Sequence, residues 1–178
     1  MISIRTERPA DVAAREALLD LAYGPVRFTK PSQRLREGSP PAVSLLALEQ
    51  GRVVGTVRLW PVTAGGRPAL LLGPLAVRPD CRCRGIGAAL MRRALRAAAD
   101  AGHGAVLLVG DASYYGRFGF TTETTGAIAM PGPYEPDRLL ALELVPGALD
   151  GAQGLVRVAA PRRAPRRAAA AAAVANAA

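Results

Sequence analysis

Arg82-Cys83-Arg84-Gly85-Ile86-Gly87-Ala88 joins a strand-like apolar run to a long Ala/Leu/Arg segment with helical spacing. Gly85 and Gly87 remove side chains where the backbone turns, so consecutive N–H groups can face one oxyanion, and the helix N-terminus adds roughly half a positive charge. That chemistry suits a phosphate-bearing ligand. The glycine spacing is neither that of a dinucleotide-binding fingerprint nor that of a phosphate loop ending in Gly-Lys-Ser/Thr, so the loop alone leaves the ligand open. A second cluster follows in Asp111-Ala112-Ser113-Tyr114-Tyr115-Gly116-Arg117-Phe118-Gly119-Phe120. On residue type alone, Tyr115 reads either as a packed aromatic with a satisfied hydroxyl or as a proton donor. Tyr114 reads as a packing or solvent-facing ring, and Asp111 as the cap of the short turn that carries both phenols.

The flanking elements would position both clusters. Upstream, Ala69-Leu70-Leu71-Leu72-Gly73-Pro74-Leu75-Ala76-Val77-Arg78-Pro79 has the apolar run of a buried strand, interrupted by Gly73-Pro74. Pro74 cannot donate to a ladder and a strand glycine marks a bulge, so this strand should part from one neighbour and open a gap beside the loop. Downstream, residues 104–110 read as the next parallel strand and deliver the two tyrosines to its C-terminal end. Between them, residues 85–101 set Ile86, Leu90, Met91, Ala94 and Leu95 on one face and Arg92, Arg93, Arg96 and Asp100 on the other, the pattern of a half-buried helix. Residues 2–7 read as a first strand and 9–22 as a helix with Gly24 beyond its end. Residues 44–48 and 52–62 form a hairpin pattern about Gln50-Gly51, while 139–145 and 154–159 read as late strands.

The order of bulged strand, Arg82-x-x-Gly85-x-Gly87, helix, strand and then Tyr115 four residues before Gly119 resembles the GNAT superfamily of acyl-CoA-dependent N-acyltransferases, in particular its small bacterial YhbS-like branch. The resemblance covers residues 1 to about 160 and is sharpest from Gly73 to Phe120. It implies an α/β (α+β) fold with a mixed, centrally splayed β-sheet flanked by helices. It implies acetyl-CoA as acyl donor, with the pyrophosphate on the amides of Arg82, Cys83, Arg84, Gly85, Ile86, Gly87 and Ala88 and the pantetheine arm along Leu75, Ala76 and Val77. Tyr115 falls where family members keep the acid that protonates the departing thiolate. The implied partner is a primary amine acceptor of unidentified class, small molecule or protein, with residues 29–37 a polar connection placed to lie over it.

A base for that amine is not visible. Family members that place a carboxylate on the bulged strand differ from this chain, where Leu70, Leu71, Leu72 and Gly73 stand. Glu49, Glu123, Glu135 and Asp137 are weak candidates that read first as surface carboxylates. A water relay would serve instead.

Composition bounds the alternatives. The chain of 178 residues is long enough for one core. Cys81 and Cys83 are too close for an ordinary disulfide, and with His103 as the sole histidine no metal site is expected. The start Met1-Ile2-Ser3-Ile4-Arg5-Thr6-Glu7 turns polar at once and no apolar run reaches membrane length, so a cytoplasmic location without membrane partners is expected, as monomer or homodimer. The formal charge is +9, of which Arg162, Arg163, Arg166 and Arg167 carry four in an Arg/Pro/Ala-rich tail, residues 161–178, expected to be disordered. No basic groove interleaved with aromatics points to specific nucleic-acid binding. An acyl-CoA-sensing module without turnover, and a basic protein with an anionic partner, are the competing readings.

Overall fold

The structure is a computed structural model that describes residues 1–37 and 39–160. In chain order it has β1 (Ile2–Thr6), α1 (Val12–Tyr23), β2 (Val43–Glu49), β3 (Arg52–Ala64), β4 (Arg67–Val77), α2 (Ile86–Asp100), β5 (Ala105–Val109), α3 (Ala112–Tyr115), β6 (Ile128–Ala129), β7 (Leu139–Glu143) and β8 (Gly154–Val158). The tail from Pro161 onward lies outside the described residues.

The strands make one mixed sheet in the order β1-β2-β3-β4-β5-β7, with β8 pairing to β3 and β6 to β8. Alternation along the strands builds two faces. Leu45, Ala47, Leu70, Leu72, Val106 and Leu108 face the buried side of α2, formed by Ile86, Leu90, Met91, Ala94 and Ala98. Leu46 and Ala76 face the other way and meet Leu18 and Leu19 of α1, while Leu71 and Leu107 meet Leu35, Met130 and Leu139. The helix face differs from the sequence pattern at one edge: Ala98 is fully buried and Leu95 only partly, because a 3.6-residue period carries the stripe toward position 98 by the fourth turn.

One local feature differs from expectation. Residues 9–11 form a 3₁₀ turn, so the α-helix begins three residues later than the proline suggested. Residues 24–36 contain two short 3₁₀ turns, Gly24–Phe28 and Pro31–Arg36.

The sheet splits where Gly73-Pro74 stands. β4 and β5 run parallel but pair only at Leu70↔Val106 and Leu71↔Leu107. Beyond, β4 continues against β3, and the register shifts between Val57↔Leu75 and Leu59↔Leu72, so Arg58 opposes both Gly73 and Pro74. Trp60 Nε1 donates to the Gly73 carbonyl at 2.6 Å, holding the bulge to its neighbouring strand. Meanwhile β5 pairs with β7 along Ala105 to Val109. The two strands therefore diverge at their C-terminal ends and leave a wedge between them.

A buried charge network seats α1 on the sheet. Glu7 Oε1 lies 3.0 Å from Arg15 Nε, and Glu7 Oε2 lies 3.5 Å from Arg58 Nε. The Arg15 contact is off the hydrogen-bond direction, so it is an ion pair by distance alone. Ser44 Oγ also donates to Glu7, which ties β1, β2, β3 and α1 through one carboxylate.

Candidate functional site

The loop after β4 reaches α2 through two left-handed residues, Cys83 with φ 60° and Gly85 with φ 75°. Gly85 takes this conformation without steric cost. Among the described residues the amides of Cys83, Arg84, Gly85, Ile86, Gly87 and Ala88 donate to no carbonyl, and the first helical bond in this turn is Ala89 N–H to Gly85 O at 3.0 Å. Six consecutive free donors at a helix N-terminus form an anion cradle. The Arg84 side chain is turned away from it, making a two-point pair with Glu49 at 2.6 and 3.0 Å. Arg84 in turn holds the Glu49 carboxyl below its usual range. Glu49 is therefore a structural anion at the end of β2.

Next to the cradle, Leu75, Val77, Gly87, Asp111, Tyr114 and Tyr115 line a slot of about 300 Å³ in the wedge between β4 and β5. A side chain at Gly87 would enter it, with Cβ 3.2 Å from the Tyr114 hydroxyl and 3.6 Å from Val77. The Tyr23 hydroxyl donates to the Leu75 carbonyl, so one edge of Leu75 faces the wedge while the other lies against Val57 of β3. Ala76 alternates inward and packs beneath α1.

Beyond Leu75 lies a cavity of about 290 Å³. Its floor is Leu71, Leu72 and Leu108, its roof Tyr23, Arg36 and Tyr134. Leu75 and Tyr115 line both spaces and form the wall between them.

Tyr115 is held from several sides. Its ring meets Tyr114 edge-on at 4.9 Å and Phe120 at 6.1 Å, and it lies so close over Gly110 that a Cβ there would collide with it. Burial pushes its pKa up to about 12, with Tyr23, Tyr114 and Asp111 adding to the shift and Arg138 opposing it. The phenol is thus a protonated donor across the ordinary pH range. Asp111 occupies the position before α3, and its backbone carbonyl receives the Tyr114 and Tyr115 amides at 3.0 Å. The side chain does not cap, and reaches Arg138 at 3.4 Å.

Of the four carboxylates considered as bases, Glu135 lines the cavity, whereas Glu123 and Asp137 are exposed and line neither space. His103 sits at the far end of α2, where its amide donates to Ala98 O at 3.0 Å. Sequence reasoning missed Tyr23, Arg36, Tyr134 and Arg138, whose signal is contact across the fold, such as the 52 residues between Tyr23 and Leu75. Residues 29–37 do reach the cavity, through Lys30, Ser32 and Arg36.

A family model described as the acetyltransferase (GNAT) family matches residues 14–120, the span from α1 through the cradle to Phe120. The chain belongs to the GNAT acetyltransferase family. It is 31% identical over 156 residues to the uncharacterized N-acetyltransferase YhbS of Escherichia coli (strain K12), covering 86% of this chain and 93% of that protein. The crystal structure of Escherichia coli YhbS in complex with CoA matches at a TM-score of 0.77 and 30% identity over 89% of each chain. A GNAT family acetyltransferase from Brucella melitensis in complex with acetyl-CoA matches at 0.69 and 32% identity, over 90% of this chain and 97% of that one. The splayed sheet and the strand–loop–helix cradle are thus features of this GNAT chain, and among the described residues no cluster of metal-ligating side chains accompanies them.

Proposed function

We propose that this GNAT protein transfers an acetyl group from acetyl-CoA to a primary amine by direct attack in a ternary complex. The observation that carries this is the wall shared by slot and cavity: Leu75 and Tyr115 touch both, so a donor in one and an amine in the other meet at these two residues. The similarity to proteins crystallised with CoA and acetyl-CoA supports the choice of donor.

The pyrophosphate sits on the amides of Cys83 through Ala88, the expected Arg82 amide being taken by the Pro79 carbonyl at 3.4 Å, and the pantetheine arm follows Leu75, Ala76 and Val77 toward the wall. A backbone N–H at this strand edge polarises the thioester carbonyl, an interaction worth about 3 kcal/mol of barrier. The neutral amine attacks the carbonyl carbon from the cavity, forming the C–N bond and an oxyanion. Collapse breaks the C–S bond as Tyr115 gives its proton to the thiolate sulfur, and solvent returns a proton to the phenolate. The amine's surplus proton leaves through water or Glu135. Cys83, Ile86 and Ala88 contribute through their backbone.

The test is CoA release, followed by thiol detection, with a panel of amines across pH. Turnover should rise with pH as the amine loses its proton. It should not fall again up to about pH 10, because an acid with a pKa of about 12 is still about 99% protonated there. A loss centred well below pH 10 would assign the acid role to another group. Tight acetyl-CoA binding with no release for any amine would leave a sensing module instead.

A further inference from the structure

The cavity behind Leu75 carries a charge pattern unsuited to a simple cationic amine. Four cations line it, Arg27, Lys30, Arg36 and Arg138, against one carboxylate, Glu135. Arg27 is neutralised by Glu16 at 2.6 Å and Asp20 at 2.8 Å. The others are not. Lys30 rests over the Tyr23 ring, 5.0 Å from its centre. Arg138 has only the 3.4 Å contact with Asp111, and its Nε is buried without an acceptor.

Arg36 is the most exceptional. Among the described residues it forms no ion pair; one terminal nitrogen lies 3.2 Å from Ser32 Oγ, and its Nε is buried without an acceptor. The same terminal nitrogen lies so close to the bulge that a Cβ at Gly73 would come within 2.7 Å of it. Burial, with the neighbouring Arg58 charge, brings its pKa down to about 10, and Tyr23 opposes this. A half-buried guanidinium whose Nε is buried without a partner and which lacks a counter-charge is costly to a fold, and its planar set of donors matches a carboxylate or phosphate. Two of the orphaned buried N–H groups in the described chain thus belong to arginines lining one cavity.

Resting on the reading of this cavity as the acceptor end, we propose that the acceptor is a small amine that also carries an anionic group, carboxylate or phosphate, and that Arg36 binds that group. Two residues of strand, about 7 Å, separate Gly73 from Leu75, which sets the anion and the reacting nitrogen a few bonds apart. After the roughly 3 Å taken by the hydrogen bond from guanidinium to anion, an α-amino acid or an aminoalkyl phosphate fits that span. The surrounding cations also disfavour an ammonium, so the acceptor is held as the neutral nucleophile. A polyamine or a free lysine side chain brings positive charge and nothing for Arg36 to bind.

The experiment measures kcat and KM at saturating acetyl-CoA for matched pairs: each amino acid against its amide, and phosphoethanolamine against ethanolamine, with spermidine as a cationic control. The anionic member of at least one pair should be favoured about tenfold or more in kcat/KM, and which pair responds distinguishes carboxylate from phosphate. Arg36→Met should shrink that preference about tenfold, mainly through KM, while its melting temperature holds or rises because an unpaired half-buried charge is gone. Arg36→Lys should retain part of the preference. Equal or faster turnover of the neutral members, an undiminished preference in Arg36→Met, or failure of every anionic amine while acetyl-CoA binds would overturn the proposal and leave the acyl-donor reading standing. Absence of acetyl-CoA binding by calorimetry would overturn the reading beneath it.

Discussion

Tyr115→Phe should lower kcat about a hundredfold or more while acetyl-CoA binding stays within about twofold. The ring is fixed by Tyr114, Phe120 and the close approach of Gly110, none of which needs the hydroxyl, so the variant keeps its packing. What it loses is a half-buried proton donor at the wall between slot and cavity. General acid catalysis typically supplies factors of this size, and a loss confined to kcat marks an interaction made in the transition state. Tyr114→Phe is the internal control: its ring lines the slot but not the cavity, so its effect should fall on acetyl-CoA affinity. Equal turnover for Tyr115→Phe and the parent would reduce Tyr115 to packing.

Gly87→Glu should weaken acetyl-CoA binding by more than about a hundredfold in a protein that remains folded. A carboxylate in the first turn of α2 is compatible with the helix field, so folding is not opposed by the charge. The same carboxylate competes for the free amides of the cradle and repels the pyrophosphate, a penalty of about 3 kcal/mol for that fold-change. Gly87→Ala separates shape from charge, because its Cβ would sit 3.2 Å from the Tyr114 hydroxyl and needs only a small adjustment. Unchanged affinity by calorimetry in folded Gly87→Glu would place the pyrophosphate elsewhere.

The half of the candidate site proposed for the donor was legible as local structure because it is continuous in sequence. Gly73-Pro74, the cradle and Tyr115 lie within one strand–loop–helix–strand passage, and each carries its own backbone or side-chain signature. The bulge followed from a residue without an N–H, and the cradle from glycines at a helix start. The cavity was hidden because it is assembled from four separated segments, around Tyr23 to Arg36, Leu71 to Leu75, Leu108 to Tyr115 and Met130 to Arg138. Nothing in the spacing of Arg36 marks it as half-buried and unpaired, since an arginine in a polar connection reads as solvated until the sheet closes over it. Arg84 shows the converse. Its place in the cradle offers its amide to an anion, while a two-point pair with Glu49, 35 residues away, takes its side chain. The pairing of β8 with β3 was likewise invisible, because a late strand can join any open edge of the sheet.

The most direct test of the central claim is a crystal structure with acetyl-CoA bound. Its pyrophosphate should lie within hydrogen-bond distance of the amides between Cys83 and Ala88, with the pantetheine in the wedge between β4 and β5 and the thioester sulfur within reach of the Tyr115 hydroxyl. A donor bound with its thioester away from Leu75 and Tyr115, or lodged in the groove at the opposite end of the sheet near Pro61 and His103, would contradict it.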